Sequence, residues 1–561
     1  MRKNVTRALA LAVSAVMLMT ACGGGSTTST TAAPAATQAA AETKAAETKP
    51  AETVSDTNKA VVNTAGEATS GTGEKANKDT LVYVINMEPT TLDPIGAAMS
   101  DNYTKMLSIQ IYDQLLREKV GDRTTLEPVL CEGYEFSDDG LELTFEIKQG
   151  VKFHNGAEMT AEDVAFSINR ALESPNVSGT AGMMKNAEVV DDTHVKVNME
   201  YAYAPVLNLF VHTAFSILNK EYVEKCEADG TNMGRNPIGT GAYKFVSWQN
   251  GSNIKLTKNE EWHMGDVAIP NVEFSFMADA TTGAIALEAG DCDVFYGVDS
   301  ADLPRLRENP DVDVLSVQSS GYYFIACNTE AGALSDVRVR QAIAKAVNRQ
   351  EIIDGGQDGV GWVTEVPITP GIFGYLEDFR AFEQDIEGAK ALLAEAGYAD
   401  GLTLTMKCPE TSYYARPAQV IQEELRQVGI TVELTPMERG AFTTDVTNRD
   451  YELIYNWVGA QFPDADTIVS LIFNKDLAHE GSTTNMALIN DDKAQELWQA
   501  GRVALDPQER LDIYRELCEL NKEQSWYIPI LTSTNSICAR SYVGGCYGHA
   551  SCYYHVSDWS F

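Results

Sequence analysis

The stretch that decides the fold is LELTFEIKQGVKFHNGAEMTAEDVAFSINRA, residues 141–171. In its first part, residues 141–147, apolar side chains alternate with polar ones, the period of two that predicts a strand with one buried face. A turn follows at residues 154–156. Thr160 then stands where a helix N-cap is expected, and Asp163, three residues on, can complete a capping box. The stretch therefore predicts a strand, a turn and a capped amphipathic helix in one continuous segment.

The order of residues in this stretch carries more information than its periodicity. The run F-x-x-G-x-x-M-T-A-x-D-V-x-F-S-I, at residues 153–168, resembles the signature segment of solute-binding protein family 5. That family comprises the extracellular receptors of ABC importers for peptides, nickel and related solutes. For His154 and Asp163 we favour structural roles, in the turn and in the helix cap, over roles as ligands or catalysts.

Other segments match the same family in the family's order. In the segment P-I-G-T-G-x-Y-x-F a strand follows the glycines, whereas a phosphate-binding glycine loop requires a helix there. In the segment S-D-V-R-V-R-Q-A we expect Ser335 to cap a helix. We expect Arg338 and Arg340 to be solvated or paired structurally rather than to bind an anion. The segments are T-L-D-P at 91–94, P-I-G-T-G-x-Y-x-F at 237–245, L-x-x-G-x-x-D at 287–293 and S-D-V-R-V-R-Q-A at 335–342.

The N-terminal residues are typical of an exported lipoprotein. Three basic residues among the first seven, an apolar run at 8–19 and MTAC at 19–22, which resembles a lipobox, predict a signal peptide over 1–21 and lipid on Cys22. The apolar run is too short to span a bilayer, whereas two acyl chains suffice for stable anchoring. The Ala-, Thr- and Glu-rich composition of residues 22–78 predicts a disordered linker. We therefore expect an exported protein that is lipid-anchored to the outer face of the cell membrane.

The charge and the motifs exclude several classes of function. The chain has 561 residues and a formal net charge of −37, whereas nucleic-acid binding needs a basic surface for the phosphates. No G-x-S-x-G occurs, and His479–Glu480 lacks the second histidine of H-E-x-x-H. We therefore expect no nucleic-acid partner, no catalysis and no cofactor.

The cysteines do not form a recognisable disulfide framework. Nine of them besides Cys22 are scattered along the chain, an odd number with no regular spacing, and buried thiols are the default interpretation. One C-terminal group, Cys546, His549, Cys552 and His555, contains only residue types that bind zinc. Its tight spacing throughout is unlike the usual zinc finger, so we predict no metal site there.

The length and the element pattern predict a two-lobed protein. A β-α-β-α alternation after residue 385 predicts a three-layer lobe with a largely parallel sheet, and the chain is too long for one compact core. The resemblance implies an α/β, two-lobed, periplasmic-binding-protein-like clamshell (class II, cluster C) with an inserted subdomain in the first lobe and strands crossing near residues 327–328 and 527–531. The predicted boundaries are lobe I over 79–115, 236–327 and 527–561, its inserted subdomain over 116–235, and lobe II over 328–526.

The candidate binding site is the run W-V-G-A-Q-F-P-D at residues 457–464. A tryptophan followed by Gly and Pro forms a rigid loop with a flat apolar surface, which suits a ligand held between lobes, although composition alone favours a packed core tryptophan. The resemblance implies that this loop lies beside the solute. In many peptide receptors of the family an aspartate here holds the peptide's amino group, and this chain has Ala460 or Gln461 at that place. We predict solute contacts for these residues: Trp457, Gln461, Phe462, Asp464, Glu88, Tyr323 and Arg416.

The resemblance implies a substrate-binding lipoprotein of an ABC importer, which captures an extracellular oligopeptide or dipeptide and delivers it to a membrane permease and its ATPase. Because the carboxylate for a free amino terminus is missing, a non-peptide solute such as an oligosaccharide or a metal chelate remains an alternative on the same fold. A sensory receptor is a further alternative, and an extracellular hydrolase is disfavoured. The expected partners are the small solute, the permease with its ATPase, and the membrane through lipid at Cys22; we expect a monomer.

Overall fold

The computed structural model describes residues 68–73, 78–96, 101–178 and 180–561. The predicted signal peptide, Cys22 and most of the predicted linker lie outside these residues. In the part of the chain that is described, no helix combines the length and the apolar character needed to cross a membrane.

The strands are numbered in chain order. They are β1 (Ala68–Ser70), β2 (Thr80–Ile85), β3 (Leu116–Lys119), β4 (Asp122–Pro128), β5 (Cys131–Phe136), β6 (Glu142–Ile147), β7 (Met184–Asp191), β8 (His194–Met199), β9 (Tyr243–Gln249), β10 (Asn253–Lys258), β11 (Asn271–Phe276), β12 (Val294–Tyr296), β13 (Val312–Cys327), β14 (Trp362–Val363), β15 (Leu402–Pro409), β16 (Ile430–Met437), β17 (Leu453–Gly459), β18 (Tyr527–Arg540) and β19 (Gly544–Tyr547).

The α-helices are numbered in the same way. They are α1 (Asn102–Ile111), α2 (Ala161–Glu173), α3 (Lys220–Asp229), α4 (Ala280–Ala289), α5 (Leu303–Glu308), α6 (Val337–Ala346), α7 (Arg349–Gly356), α8 (Ile386–Glu395), α9 (Ser412–Gln427), α10 (Arg439–Thr447), α11 (Asp466–Phe473), α12 (Asp492–Val503) and α13 (Pro507–Gln524).

One mixed sheet of eleven strands runs through both lobes. Its order is β16-β15-β17-β13-β18-β12-β2-β11-β10-β9, and β14 pairs with β18 beside this path. In the first lobe β12, β2 and β11 are parallel to one another. In the second lobe β15, β16 and β17 are parallel. The sheet is therefore two parallel blocks joined through an antiparallel centre.

The two long strands β13 and β18 form that centre and connect the lobes. They pair antiparallel, and their register shifts between Gln318 and Tyr322, an irregularity that lets a strand pair bend. The first half of β13 lies in the first lobe, and its second half pairs with β17 in the second. At the shift, the hydroxyl oxygens of Ser319 and Ser533 are 3.0 Å apart. The chain therefore crosses between the lobes at this serine pair, which precedes the crossing predicted at residues 327–328 on β13 and follows the one predicted at 527–531 on β18.

The second lobe has three layers, as the alternation of strands and helices predicts. Along β13, Tyr323 and Ile325 pack into one apolar core, which also contains residues of α6, α8 and α9. Tyr322 and Phe324 pack into another core, on the opposite face, with residues of α11, α12 and α13. The two faces alternate because successive side chains of a strand point to opposite sides of the sheet.

The inserted subdomain contains the stretch that opens the sequence analysis. A four-stranded antiparallel sheet, β5-β6-β8-β7, packs near α2. The predicted capping box is confirmed: the Asp163 backbone N–H donates to Thr160 Oγ1 at 3.3 Å, and the Thr160 backbone N–H donates to Asp163 Oδ2 at 2.9 Å. Asp163 Oδ1 also accepts from the Lys220 backbone at 2.8 Å, so this carboxylate joins two helix starts.

His154 joins two of the sequence motifs. Its Nδ1 accepts a hydrogen bond from the Gly239 backbone at 3.3 Å, and its Nε2 therefore carries the proton and donates to the carbonyl of Gly241 at 3.0 Å. Burial lowers the pKa of His154 to about 4, so the imidazole is neutral at physiological pH. These contacts give His154 a structural role between the turn after Phe153 and the P-I-G-T-G loop.

The structure corrects the predicted cap of α6. Asp336, not Ser335, is the N-cap, and its carboxylate accepts from the Arg338 backbone at 2.9 Å. The Arg338 side chain pairs with the same carboxylate at 2.6 Å. The Arg340 guanidinium donates to the backbone carbonyl of Gln524 at 2.8 Å. Both arginines are therefore engaged in structural contacts.

The structure also shortens the predicted linker. Residues 68–70 form β1, which pairs antiparallel with β19, although residues 22–78 were predicted to be disordered. The hydroxyl of Thr69 accepts from the Cys546 backbone at 2.9 Å. Composition missed this strand because its backbone pairing depends on a partner near the other end of the chain.

Candidate functional site

The carboxyl ends of the two parallel blocks point toward each other across the crossing strands. β18 runs from the second lobe into the first, and β12, which is antiparallel to it, runs back toward the second lobe together with β2 and β11. β13 runs from the first lobe into the second, so β17, β15 and β16 run toward the first. Ligands in open α/β sheets bind outside the carboxyl ends of the strands. The candidate site is therefore the cleft between these two edges.

The edge of the second lobe carries aromatic and basic side chains. Tyr413 lies in the first turn of α9, directly after β15, and Arg439 begins α10, after β16. Trp457 lies near the end of β17. Both aromatic rings remain partly accessible, with 48% of Tyr413 and 39% of Trp457 exposed. This edge can therefore offer flat apolar surfaces and a cation to a solute.

The position of Trp457 depends on two glycines. Its indole ring lies against Gly321, on β13, and Gly459, at the end of its own strand, so closely that a β-carbon at either position would overlap ring atoms. The direct cross-strand partner of Trp457 is Tyr323. The indole ring thus packs against the two glycines beside the point where β13 enters the second lobe. The rest of the ring is accessible to solvent.

A group of tyrosines supports this wall from behind. Tyr323 stacks on Tyr455 with ring centroids 5.8 Å apart, and its edge meets Tyr414 at 5.3 Å. Tyr323 is only 7% exposed. The Tyr323 side chain therefore supports the wall and belongs to the apolar core, and its contact with a solute stays a prediction.

A cavity of about 350 Å³ lies beside Trp457 in the second lobe. Its size is that of a pocket for a small molecule or a side chain. Its lining mixes apolar and polar side chains, and among the polar ones are the Arg439 guanidinium and the Asn456 amide, whose Nη1 and Oδ1 atoms are 3.5 Å apart. The lining includes Phe324, Arg439, Asn456, Trp457, Met486 and Tyr527.

The edge of the first lobe carries a second aromatic group. Met87, 56% exposed, follows β2, and Tyr296 ends β12. The Tyr103 hydroxyl donates to the side-chain carbonyl of Asn86, and the rings of Tyr103 and Tyr296 have centroids 6.0 Å apart. This edge therefore offers tyrosines and a methionine to a solute that contacts both lobes.

Glu88 lies in the loop after β2, but its carboxylate is engaged. Oε1 accepts from Trp248 Nε1 at 2.7 Å, and Oε2 accepts from the Gly251 backbone at 2.9 Å. These bonds tie the loop to the hairpin between β9 and β10. Both oxygens of Glu88 therefore have protein partners, and its contact with a solute stays a prediction.

The structure places two other predicted residues in ion pairs. Asp464 is 2% exposed, and both of its carboxylate oxygens accept from Arg510, at 2.7 and 2.9 Å. Arg416 pairs with Asp358 at 2.6 and 2.8 Å on the surface of the second lobe. Through these contacts Asp464 organises the loop and Arg416 joins α9 to the segment after α7, and a solute contact of either residue stays a prediction.

Gln461 and Phe462 connect the second lobe to the inserted subdomain. The Gln461 side-chain carbonyl accepts from the Thr180 hydroxyl at 3.3 Å. Phe462 is 3% exposed and packs in the apolar core of the inserted subdomain. The loop that begins at Trp457 thus has one residue on the open edge and two at a contact between lobes.

Sequence reasoning missed a buried polar contact between the lobes. The Tyr203 hydroxyl, in the inserted subdomain, donates to Asp466 Oδ2 at 2.8 Å, and Trp498 Nε1 donates to the other oxygen at 3.1 Å. The Arg502 guanidinium lies over the Tyr203 ring at 5.3 Å. Burial raises the pKa of Asp466. The only signal in the sequence was a tyrosine and an aspartate 263 residues apart, which no local spacing connects.

Two members of the C-terminal group of cysteines and histidines have protein partners of other kinds. His549 Nε2 is 3.0 Å from Glu118 Oε2, and Cys552 Sγ is 3.0 Å from the Tyr296 hydroxyl. Among the residues that the structure describes, no group of three or more His, Cys, Asp or Glu side chains is arranged to hold a metal ion. The nine cysteines of this part of the chain are all buried and unbridged.

Comparison with known proteins agrees with this architecture. The sequence profile of the bacterial extracellular solute-binding proteins, family 5 Middle, matches residues 125–478. The chain is 28% identical over 507 residues to heme-binding protein A of Haemophilus influenzae, covering 84% of this chain and 90% of that protein. It is 27% identical over 483 residues to the dipeptide-binding protein of Escherichia coli, covering 81% and 89%.

Solved structures show the same fold. The structure of HbpA2 from Haemophilus parasuis superposes with a TM-score of 0.79 at 27% identity, covering 86% of this chain and 99% of that one. The periplasmic binding protein DppA from Helicobacter pylori, in complex with the peptide STSA, superposes with a TM-score of 0.70 at 25% identity, covering 86% and 98%. The predicted two-lobed, periplasmic-binding-protein-like fold is confirmed. The chain belongs to family 5 of the bacterial extracellular solute-binding proteins, a family of substrate-binding components of ABC importers rather than enzymes.

Proposed function

We propose that this protein captures a short peptide between its two lobes outside the cell and delivers it to a membrane permease driven by an ATPase. The observation that carries the proposal is the pair of opposed strand edges, with Trp457 and Tyr413 on one and Met87 and Tyr296 on the other. A solute that contacts both edges stabilises the closed arrangement of the lobes, which is a population shift between open and closed forms. The permease then recognises the closed form.

The choice of a peptide rests on the relatives and on the chemistry of the edges. Two of the relatives are named for dipeptide and glutathione binding, and a peptide offers both apolar side chains and a charged carboxylate. The Arg439 guanidinium beside the cavity is a suitable partner for an anionic group. The loop has Ala460 and Gln461 where many peptide receptors of the family have an aspartate, and Asp464 is engaged by Arg510. We infer that a free amino terminus is not held by a carboxylate of this loop.

Native mass spectrometry of protein purified without denaturation tests the proposed solute class. A co-purifying mass that fragments as a short peptide supports the proposal, and recovery of the same peptide unchanged after incubation separates binding from hydrolysis. A co-purifying sugar or porphyrin in place of a peptide would overturn the peptide assignment while leaving the solute-binding role intact.

A substitution at Gln461 tests the inference about the amino terminus. A carboxamide cannot offer full charge to an ammonium, and charge-assisted hydrogen bonds are roughly twice as strong as neutral ones. Gln461→Asp should therefore strengthen the binding of peptides with free amino termini and leave N-acetylated peptides unaffected, as measured by calorimetric titration. Equal affinities in the wild type and the variant would show that the position has no part in recognition.

We also propose that lipid on Cys22 anchors the protein to the membrane. The support is the basic start, the apolar run and the MTAC sequence at residues 19–22. Cys22→Ser should release the protein into the medium or block its processing, as seen by fractionation of cells and medium. Unchanged membrane retention of that variant would refute lipid anchoring.

A further inference from the structure

A group of buried polar side chains in the first lobe has hydrogen-bonding capacity that the protein does not satisfy. Four of their atoms, Ser108 Oγ, Arg123 Nη1, His212 Nε2 and Thr213 Oγ1, are buried and have no hydrogen-bond partner among the described residues. Buried polar atoms in folded proteins are almost always paired, so four together require a reason. We name this group, together with Lys105, the buried donor cluster; its members are Lys105, Ser108, Arg123, His212 and Thr213.

His212 presents a hydrogen to this cluster. Its Nδ1 accepts from the Ala214 backbone at 3.1 Å, and a neutral imidazole that accepts at one nitrogen carries its proton on the other. The unpaired Nε2 is therefore a donor. Burial, and then the charge of Lys105, lower the pKa of His212 well below its usual range, so the ring stays neutral and supplies one N–H.

Arg123 has one guanidinium nitrogen without a hydrogen-bond partner among the described residues. Its Nε donates to Glu118 Oε2 at 2.8 Å, and its Nη2 donates to the Ser551 hydroxyl at 2.7 Å, while Nη1 has no partner. Glu118 is shared, since the same Oε2 lies 3.0 Å from Nε2 of His549. The Glu118 carboxylate therefore already has two partners, Arg123 and His549.

Lys105 adds a second cation. It lies on α1 and is 6% exposed, and no hydrogen bond or ion pair joins its ammonium to the residues that the structure describes. The nearest acid along the chain, Asp101, is used as the N-cap of α1, where it accepts from the Tyr103 backbone and the Thr104 hydroxyl. Burial lowers the pKa of Lys105. The cluster thus contains two cations, and among the described residues Glu118 is the one carboxylate that is hydrogen-bonded to either of them.

The members of the cluster lie together where α1, residues 212–213 and the C-terminal segment meet. Lys105 and Ser108 are one turn apart on α1, and the ring centroids of His212 and Tyr553 are 6.5 Å apart. Tyr553 follows Ser551, the partner of Arg123. The side chain of Gln110, also on α1, donates to the backbone carbonyl of Tyr554 at 2.6 Å, so α1 packs against the C-terminal segment. Cys552 also contacts Tyr296 of the first-lobe edge, so the cluster lies close to that edge.

We propose that the buried donor cluster binds a small carboxylate anion. An unpaired cation inside a protein is costly, and an anion here would accept hydrogens from the Lys105 ammonium, Arg123 Nη1 and His212 Nε2, while the two hydroxyls, each able to donate, would complete its shell. Such charge-assisted bonds are the strong ones. The carboxylate has two possible sources, a free anion such as acetate or the carboxylate end of the solute, and the second source rests on the proposed function.

Acetate is the probe for the first experiment. The unfolding midpoint of the full chain is measured over a series of acetate concentrations for the wild type, for Lys105→Met, which removes the charge but keeps the length, and for Lys390→Met. Lys390 is an exposed lysine of α8, paired with Glu387 on the surface, and serves as the matched control. A ligand that binds only the folded state raises the midpoint in a saturable way.

We expect acetate to raise the midpoint of the wild type and of Lys390→Met equally and saturably, and to have no saturable effect on Lys105→Met. An equal response in all three proteins would reveal a general salt effect, and no response in the wild type would mean that water alone satisfies the cluster; either result overturns the proposal. If Lys105→Met does not fold, Thr213→Val replaces it, since it keeps the shape and removes one hydroxyl. That variant should weaken the apparent acetate affinity several-fold, and unchanged affinity would also count against the cluster.

The second experiment distinguishes the two sources. Calorimetric titration compares the dipeptide Ala-Phe with its C-terminal amide, with and without acetate. If the solute supplies the carboxylate, the acid should bind more than tenfold tighter than the amide, acetate should compete with it, and Lys105→Met should remove the difference. If acid and amide bind equally while acetate still stabilises the wild type, the anion is free and separate from the solute. Failure of both peptides to bind, with acetate binding intact, would count against the proposed peptide function alone.

Discussion

The hydroxyl of Tyr203 donates a hydrogen bond to the carboxylate of Asp466 over 2.8 Å, and both residues are buried although they belong to different lobes. Tyr203 precedes the short helical segment of the inserted subdomain, and Asp466 begins α11 of the second lobe. Trp498 holds the second carboxylate oxygen. This contact joins the lobes at one side of the cleft, so in the proposed mechanism it acts together with the solute.

Tyr203→Phe should weaken solute binding by favouring the open form. The substitution removes one buried hydrogen bond to a charged acceptor, worth about 1.5–3 kcal/mol, which corresponds to roughly tenfold or more in affinity. Calorimetric titration with the co-purified solute measures this loss. Tyr134→Phe is the control, because Tyr134 is an exposed tyrosine of the same subdomain. Equal affinities for the two variants would show that the Tyr203 contact does not take part in closure.

Trp457→Ala should weaken solute binding without unfolding the protein. The ring is 39% exposed at the strand edge, and loss of such an aromatic contact costs on the order of 2 kcal/mol at binding hot spots, or more than tenfold in affinity. Tyr134→Ala, which removes an exposed ring far from the strand edges, should leave affinity unchanged. Should Trp457→Ala bind the solute as tightly as the wild type, the indole would have no place in the site.

Asp464→Asn should reduce stability. The buried pair with Arg510 has N–O distances of 2.7 and 2.9 Å, and breaking such a pair costs about 3–5 kcal/mol because the remaining charge is left uncompensated. Urea unfolding measures this loss. Asp358→Asn, which breaks an exposed pair with Arg416, should have little effect on stability. A stable Asp464→Asn variant that has lost only its solute affinity would return Asp464 to the binding site.

The pH dependence of stability should contain a contribution from His154. Its pKa in the folded protein is about 4 because of burial, below the unfolded value of about 6.5. The unfolded state therefore binds a proton that the folded state does not, and stability is lost as the pH falls from about 6.5 toward 4. Between pH 7 and pH 4.5 the wild type should lose about 2.5 kcal/mol more than His154→Gln, as measured by urea unfolding.

The control for this experiment is His479→Gln, since His479 is exposed. That variant should lose as much stability as the wild type over the same range of pH. If His154→Gln also followed the wild type, His154 would have to exchange protons freely in the folded protein, contrary to its contacts with Gly239 and Gly241.

Local patterns in the sequence were sufficient for much of the fold. Thr160 and Asp163 are three residues apart, and their capping box forms as predicted because both bonds depend only on that spacing. The strand predicted within residues 141–147 forms as β6, and its side chains alternate between buried and more accessible positions as the hydrophobic periodicity predicts. Trp457 lies near the end of β17, and its contact with a solute stays a prediction.

The missed parts of the site depend on partners that are distant in sequence. Asp464 was predicted to contact solute, but Arg510, 46 residues later, engages it. Glu88 is engaged by Trp248, 160 residues away. Carboxylates that point into solvent and carboxylates that hold a loop have the same local sequence, and only the tertiary fold distinguishes them. Tyr203 and Asp466 were missed for the same reason.

The central claim is that a solute binds between the opposed strand edges and holds the two lobes together. Small-angle X-ray scattering of the protein, first stripped of its co-purified solute and then reloaded with it, tests this claim most directly. We predict that the radius of gyration falls on reloading while the far-ultraviolet circular dichroism stays unchanged, because the lobes move as rigid bodies about β13 and β18. Identical scattering curves with the solute demonstrably bound would contradict the account.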